Sequence, residues 1–356
     1  MTIPADTPTE HPQARTPQQE QTSGEGDVPA GGRAMRFGAM APAAELLPQV
    51  LPSERLGSTG VMVPELRPAI RQIANVPNVA TVVGALAYPV LILAATAWLG
   101  HPLAYVGATI LLGSAFARLA ILTHEAAHRL LFSVRPLNDF VGRWLLGNVA
   151  MIPFSIYRRA HFAHHREEFG PNEPDLGLYA DYPVSPQSFR RKLRRDLTGP
   201  SGWANLKPLL LAMRRPASAR IAAPILLTQA AIFGLCLAIG YPWLFIVWIG
   251  AWLTSWRFLN RLRAIAEHGG MRADKDRRAT THVVAQSRLA SFWIAPYNTG
   301  YHLAHHVDMG VPWRNLPRYH GELVAAGYVP DALTWPSYRE LWRALRTPAA
   351  PASSGA

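Results

Sequence analysis

Cysteine is nearly absent from these 356 residues. The single one, Cys236, excludes a disulfide framework within the chain and any metal site built on several thiolates. It sits in an apolar run, as a small buried or lipid-facing side chain would. Charge is also scarce, at 16% of residues. Acidic groups are the minority, 23 against 35 basic ones, for a net charge of +12. That surplus lies between apolar runs, where the positive-inside rule accounts for it. No basic stretch interleaved with aromatics suggests nucleic acid. The start has no apolar core, so no signal peptide is expected. Residues 1–43 lack apolar periodicity and are rich in Pro, Gln, Glu, Thr and Gly, which predicts a disordered tail, as does the composition of 346–356.

Long apolar runs, in contrast, are present. Residues 77–99 carry no charge and are long enough to cross a bilayer. Residues 103–122 are nearly as apolar, with Arg118 near the end, and Gly100-His101-Pro102 joins the two as a tight turn. A second pair follows at 221–239 and 242–259, turned by Gly240-Tyr241-Pro242 and rich in tryptophan. Residues 44–75 read as an irregular, interfacial lead-in, and Val141–Tyr157 as a membrane-surface or buried helix. The expected fold is therefore an all-α integral membrane protein over 76–345, with four spans in two hairpins and a helical cap. Arginine-rich segments at 158–220 and after 257 put the cap and both termini on the cytoplasmic side. The run Arg190–Arg195 has a use beyond topology, docking anionic headgroups or an acidic partner.

Histidine carries the chemistry. Nine of the thirteen histidines fall into four groups: His124 and His128; His161, His164 and His165; His268; and His302, His305 and His306. Spacings of three and four put side chains on one helix face. All four groups fall on the cytoplasmic side of the expected topology, where they can converge. Neutral imidazole suits iron, zinc, copper and nickel. Nine imidazoles exceed one ion's needs, and two ions taking four or five each fit the count. Glu125, Glu267 and Asp308 are candidate acceptors for the outer imidazole N–H groups, as are Asn172, Glu173 and Asp175. His11, His101, His282 and His320 read as ordinary tail, turn, surface or loop residues.

Read as His-Glu-x-x-His, His124–His128 also fits a zinc protease, with Glu125 as base. That leaves the other seven clustered histidines without a task. A haem cytochrome would need histidines within the spans, and none lies there. A non-catalytic metal protein is the remaining alternative.

The three boxes HEAAH, HFAHH and HLAHH, with their separations and paired apolar runs, resemble the membrane fatty acid desaturase and hydroxylase superfamily, from about residue 77 to about 320. The match extends to Thr-His-Glu-Ala-Ala-His, Tyr-Arg-Arg-Ala-His-Phe-Ala-His-His and Tyr-His-Leu-Ala-His-His. The resemblance implies two non-haem irons, held by the box histidines with His268 as an additional ligand, and O2 as co-substrate. It implies desaturation of an acyl chain carried as an acyl lipid or as an acyl-CoA thioester, in a tunnel that Trp144, Trp256 and Trp293 are candidates to line, with hydroxylation of an alkyl, sphingoid or carotenoid substrate as the alternative. Some relatives carry an Asn four residues before the additional histidine; Ala264 stands there in this chain. The chain shows no His-Pro-Gly-Gly haem motif, cysteine set or Gly-rich dinucleotide loop. Electrons are therefore expected from a separate protein, a ferredoxin with its reductase.

Overall fold

The computed structural model describes residues 36–171 and 173–347. The rest of the expected tails, His11 and Asn172 lie outside the described residues. Helix dominates, and among the described residues the sheet content is one parallel pair, Val283–Val284 with Thr334–Trp335.

Helix α1 (Asn75–Leu99) ends where Gly100 adopts a left-handed conformation, φ 58°, and returns its N–H to Thr96. Glycine meets that geometry without steric cost. Helix α2 (Pro102–Ala127) starts at once, with proline in its first position and the His101 side chain accepting the Leu103 N–H. His101 is thus a helix cap. After α2 come a π-helical turn (Val141–Gly147) and α3 (Phe154–Glu167), so Val141–Tyr157 is not one helix. Two helices, α4 (Pro186–Leu197) and α5 (Pro200–Leu211), lead to α6 (Pro216–Ala238). Helix α4 exposes Arg190, Arg191, Arg194 and Arg195.

Three helical stretches are long and apolar enough to cross a membrane: Arg67–Leu99, Pro102–Ala127 and Pro216–Ala238. Their burial differs. The most apolar part of α2 is 61% buried inside the protein, against 28% and 22% for the other two. So α2 is the central post, and α1 and α6 turn apolar faces outward, with Trp98 85% and Leu227 69% exposed. Phe116, Leu119 and Leu122 of α2 are fully buried among Trp248, Trp252 and Phe154.

The expected run 242–259 is not one helix. It divides into α7 (Trp243–Leu253) and α8 (Ser255–His268) at Thr254, whose backbone leaves the helical region (φ −121°, ψ −85°). Hydroxyl groups absorb the break. Thr254 donates to the Gly250 carbonyl (2.6 Å), and Ser255 to the Thr109 carbonyl of α2 (2.6 Å). Gly113 permits this approach: a Cβ there would lie 2.8 Å from the Ser255 hydroxyl. Periodicity did not reveal the break because threonine and serine are compatible with helix.

Beyond α8 the chain builds the cap, including α9 (Arg288–Trp293), α10 (His302–Val307), α11 (Leu316–Ala325) and α12 (Tyr338–Leu345). Two further cores hold it. One joins Ile265 and Tyr179 with Leu341 and Leu345. The other joins Leu56, Met62 and Ile70 of the lead-in with Leu303, Val311 and Tyr319. Residues 36–43, assigned to the tail in the sequence reading, instead pair with the segment after α8. Gly38 and Met40 donate their N–H groups to the Met271 and Gly270 carbonyls.

Candidate functional site

Four stretches of chain meet between the helical core and the cap, each bringing histidines. The C-terminal end of α2 brings His124 and His128, α3 brings His161, His164 and His165, α8 ends in His268, and α10 brings His302, His305 and His306. All nine clustered histidines arrive there, in two groups. His124, His128, His161, His165 and His305 form the first, and His164, His268, His302 and His306 the second. Within each group the ring nitrogens lie within 4.8 Å of one another.

The consecutive pairs explain the partition. Adjacent helical residues project about 100° apart, whereas residues four apart share a face. So His161 and His165 reach the first group while His164 turns to the second. On α10 the same logic runs the other way: His302 and His306 serve the second group and His305 the first. Helices α3 and α10 each bridge both groups.

Nitrogen spacing shows what the groups can hold. In the first, His128 Nε2 lies 2.7 Å from His161 Nε2, and His165 Nε2 lies 3.1 Å from both His161 Nε2 and His305 Nε2. His124 Nε2 is also 3.1 Å from His305 Nε2. In the second, His302 Nε2 stands 3.1 Å from His268 Nε2 and 3.0 Å from His306 Nε2. Ligands about 2.1 Å from one ion and at right angles lie ~3 Å apart.

The outer nitrogens set the charge. His268 donates its Nδ1–H to the Thr280 carbonyl (2.9 Å), His164 to Glu173 (2.9 Å) and His306 to Glu168. His302 Nδ1 faces Glu267 at 3.4 Å. A neutral imidazole with its proton on Nδ1 has a lone pair on Nε2. The close Nε2 contacts of the second group are then lone pair against lone pair, which a cation between them relieves. Carboxylates behind metal-bound imidazoles fix tautomer and orientation in this way.

Protonation agrees. Burial, reinforced by neighbouring imidazoles, holds His161, His165, His302, His305 and His306 well below the usual histidine range. Burial pushes His128 and His268 down to about 3. At His164 burial also acts downward, but Glu173, Asp175 and Glu168 outweigh it and raise the value. Metal ligands must be neutral imidazoles, so most of the set is ready without a proton to expel.

The carboxylates differ in part from expectation. Glu173 and Glu267 face imidazoles, and Glu125, fully buried, lies 3.5 Å from His124 Nδ1 while accepting the Trp313 N–H. Asp175 sits beside Glu173 and His164. Asp308, expected beside an imidazole, instead gives both oxygens to Arg71, the shortest contact being 2.8 Å. It follows α10 in extended backbone, φ −138°, which carries it off the histidine face. Glu168 was not foreseen. Helix α3 stops at Glu167, and the turn swings Glu168 toward His306 and Arg277, which pairs with it at 2.8 Å. Its place four residues after His164 was the available signal.

Other expectations resolve similarly. His282 is buried, not a surface residue. It donates Nε2–H to the Gly269 carbonyl (2.8 Å), accepts the Trp335 N–H, and burial pushes it down to about 4. His320 is half-buried against Tyr301, outside both groups. Ala264 is buried. Trp144 is 43% exposed, and Trp293 packs against the cap core.

Trp256, in contrast, lines a cavity of about 710 Å³ that reaches His124 and Tyr157. Its walls include Met151, Ile152, Ile156, Leu209 and Trp252. Such a volume is typical of small-molecule sites. Tyr157 stacks parallel to His161, with ring centres 5.6 Å apart. The arrangement can hold two cations beside one another at the end of a mainly apolar chamber.

No curated protein matches the chain. A family model described as fatty acid desaturase matches residues 96–338, more than half the length, and covers every histidine of both groups; the chain belongs to the fatty acid desaturase family.

Proposed function

We propose that this chain is a membrane-bound, O2-dependent desaturase of an acyl lipid, working with two non-haem irons. His124, His128, His161, His165 and His305 hold one ion, and His164, His268, His302 and His306 the other. Imidazole-rich donor sets suit iron. When bound, the metal pair supplies, with O2 and two electrons, the oxidising power to remove two hydrogens from adjacent carbons of an acyl chain.

The protein's own residues do the placing. Glu168, Glu173, Glu267 and the Thr280 carbonyl accept the outer imidazole protons of the second group and hold its inner lone pairs inward. Glu125 has the matching position behind His124. The cavity, with Met151, Ile152, Ile156, Leu209, Trp252 and Trp256 in its walls, leads an alkyl chain to His124. The electrons come from a separate carrier, a ferredoxin with its reductase. Four crossings are completed by α7 with the start of α8, and the arginine-rich segments put the cap and both termini in the cytoplasm.

The observation that carries this reading is the convergence of nine imidazoles from four stretches of chain into groups of five and four, with inner nitrogens 2.7–3.1 Å apart. Its test has two parts: metal analysis of the purified chain, and acyl profiling of a host with and without it. Two irons per chain and products lighter by two hydrogens are expected. Products heavier by one oxygen would instead assign hydroxylation. One zinc and an unchanged lipid profile would refute the proposal.

A further inference from the structure

The cavity beside His124 is not a plain hydrocarbon tunnel. Helix α8 turns Arg257, Asn260 and Arg261 into it, at spacings that share one helix face. Arg263, one turn nearer the histidines, also lines it. From the facing side, Ser201 and Asn205 of α5 and Asp196 at the end of α4 contribute polar atoms. An alkyl chain needs none of these.

Asp175 also lines the cavity, beside Glu173 and His164 at its histidine end, so the imbalance of charge is local to the opposite end. Asp196 is buried and bonded through both oxygens to Arg261. Arg263 lies 3.6 Å from Glu267. Among the described residues Arg257 has no carboxylate partner. Its guanidinium lies over the Trp252 ring, 3.7 Å from the centre, and its buried Nε has no hydrogen-bond partner. Arg257 as a whole is half-buried, but a buried N–H without an acceptor is costly, and an anionic guest would supply that acceptor.

Position within the cavity follows from the helices. Gly202 of α5 packs against Leu253, one turn before Arg257, so Arg257 lies at the α5 end. His268 is 11 residues further along α8, about 16 Å at 1.5 Å per residue. Along α8 the unpaired cation thus stands well back from the histidines, and Met151, Ile152, Ile156 and Trp256 are among the apolar walls of the cavity that reaches His124.

We propose that this cavity takes a lipid with an anionic oxygen head, that Arg257 and Asn260 bind the head, and that the tail extends toward His124. The head is a carboxylate or a phosphate, from a free fatty acid or a phospholipid. A neutral hydrocarbon such as a carotene would leave Arg257 unpaired. The inference rests on the acyl-lipid reading only for what happens at the histidine end.

The test uses the full chain in detergent and displacement of a fluorescent fatty acid by palmitate, phosphatidylglycerol, hexadecanol or hexadecane. At least one anionic competitor should displace the probe about tenfold better than hexadecanol, as one charge-assisted bond allows. Phosphatidylglycerol and palmitate then distinguish the two sources of the head. Arg257→Gln should remove most of that advantage, Arg257→Lys should keep part of it, and iron content should stay unchanged in both. Equal displacement by the alcohol and both anions in the wild-type chain would overturn the inference, and that comparison requires no variant. So would Arg257→Gln binding with the preference intact. An anion preference in a chain that binds no iron would leave this inference standing and remove the desaturase reading.

Discussion

Glu168→Gln tests the architecture without touching a proposed ligand. Glu168 accepts the Nδ1–H of His306 and pairs with Arg277, whose guanidinium also reaches the His165 carbonyl. It therefore ties one histidine of the second group to the helix that serves both. Glutamine keeps the size and one acceptor but removes the charge. Loss of a carboxylate behind a metal-bound imidazole typically costs 10- to 100-fold in metal affinity, about 1.4–2.7 kcal/mol. The Arg277 charge, half-exposed, regains water and adds little. Iron retention under graded chelator competition is the assay, with Asp308→Asn as the control. Asp308 gives its oxygens to Arg71 and not to an imidazole, so its loss should weaken folding slightly and leave iron affinity unchanged. If Glu168→Gln retained iron like the wild-type chain, the outer carboxylates would not be positioning the imidazoles, and the lone-pair argument for the second group would fail.

Three further outcomes are expected. His161→Ala and His305→Ala should each abolish turnover while the chain still inserts in the membrane; full activity in either, by acyl profiling, would contradict the ligand assignment. Gly113→Ala should lower the unfolding temperature in detergent, at a cost of about 1–3 kcal/mol, because its Cβ would meet Ser255 at 2.8–2.9 Å. Gly107→Ala, where a Cβ meets nothing within 4 Å, should be neutral or stabilising, and equal behaviour of the two would refute the close approach. Burial lowers His282 from 6.5 to about 4, so the unfolded chain binds its proton first as pH falls. Its stabilising contribution is complete above pH 6.5 and is lost on acidification toward pH 4, by at most about 3 kcal/mol. His282→Gln should flatten the fall in unfolding temperature over that interval, and an unchanged slope would count against it.

Much of the site could be read in the sequence because helical spacing is local. His124 with His128, and His161 with His165, share a face in any α-helix, so each pair's common aim needs no tertiary information. The apolar runs before and after are equally local, since hydrocarbon thickness sets their length. Glu168 and Asp308 show where local reasoning stops. Both acids lie two or three residues beyond a histidine pair, yet one turns onto His306 and the other away to Arg71. That choice is made by the backbone after the helix has ended.

Composition and periodicity by themselves determined the donors, the apolar posts and the need for the histidine groups to meet. Tertiary packing decided the division into five and four, because adjacent histidines on α3 and α10 face different neighbours only once α2 and α8 are in place. It decided the break at Thr254, where Gly113 lets Ser255 reach the α2 backbone. Among the described residues it also left Arg257 without a paired carboxylate, since Asp196, the acid near it, is held by Arg261. Spacing along one helix is fixed by the chain's own geometry, whereas partners between helices depend on which surfaces pack together.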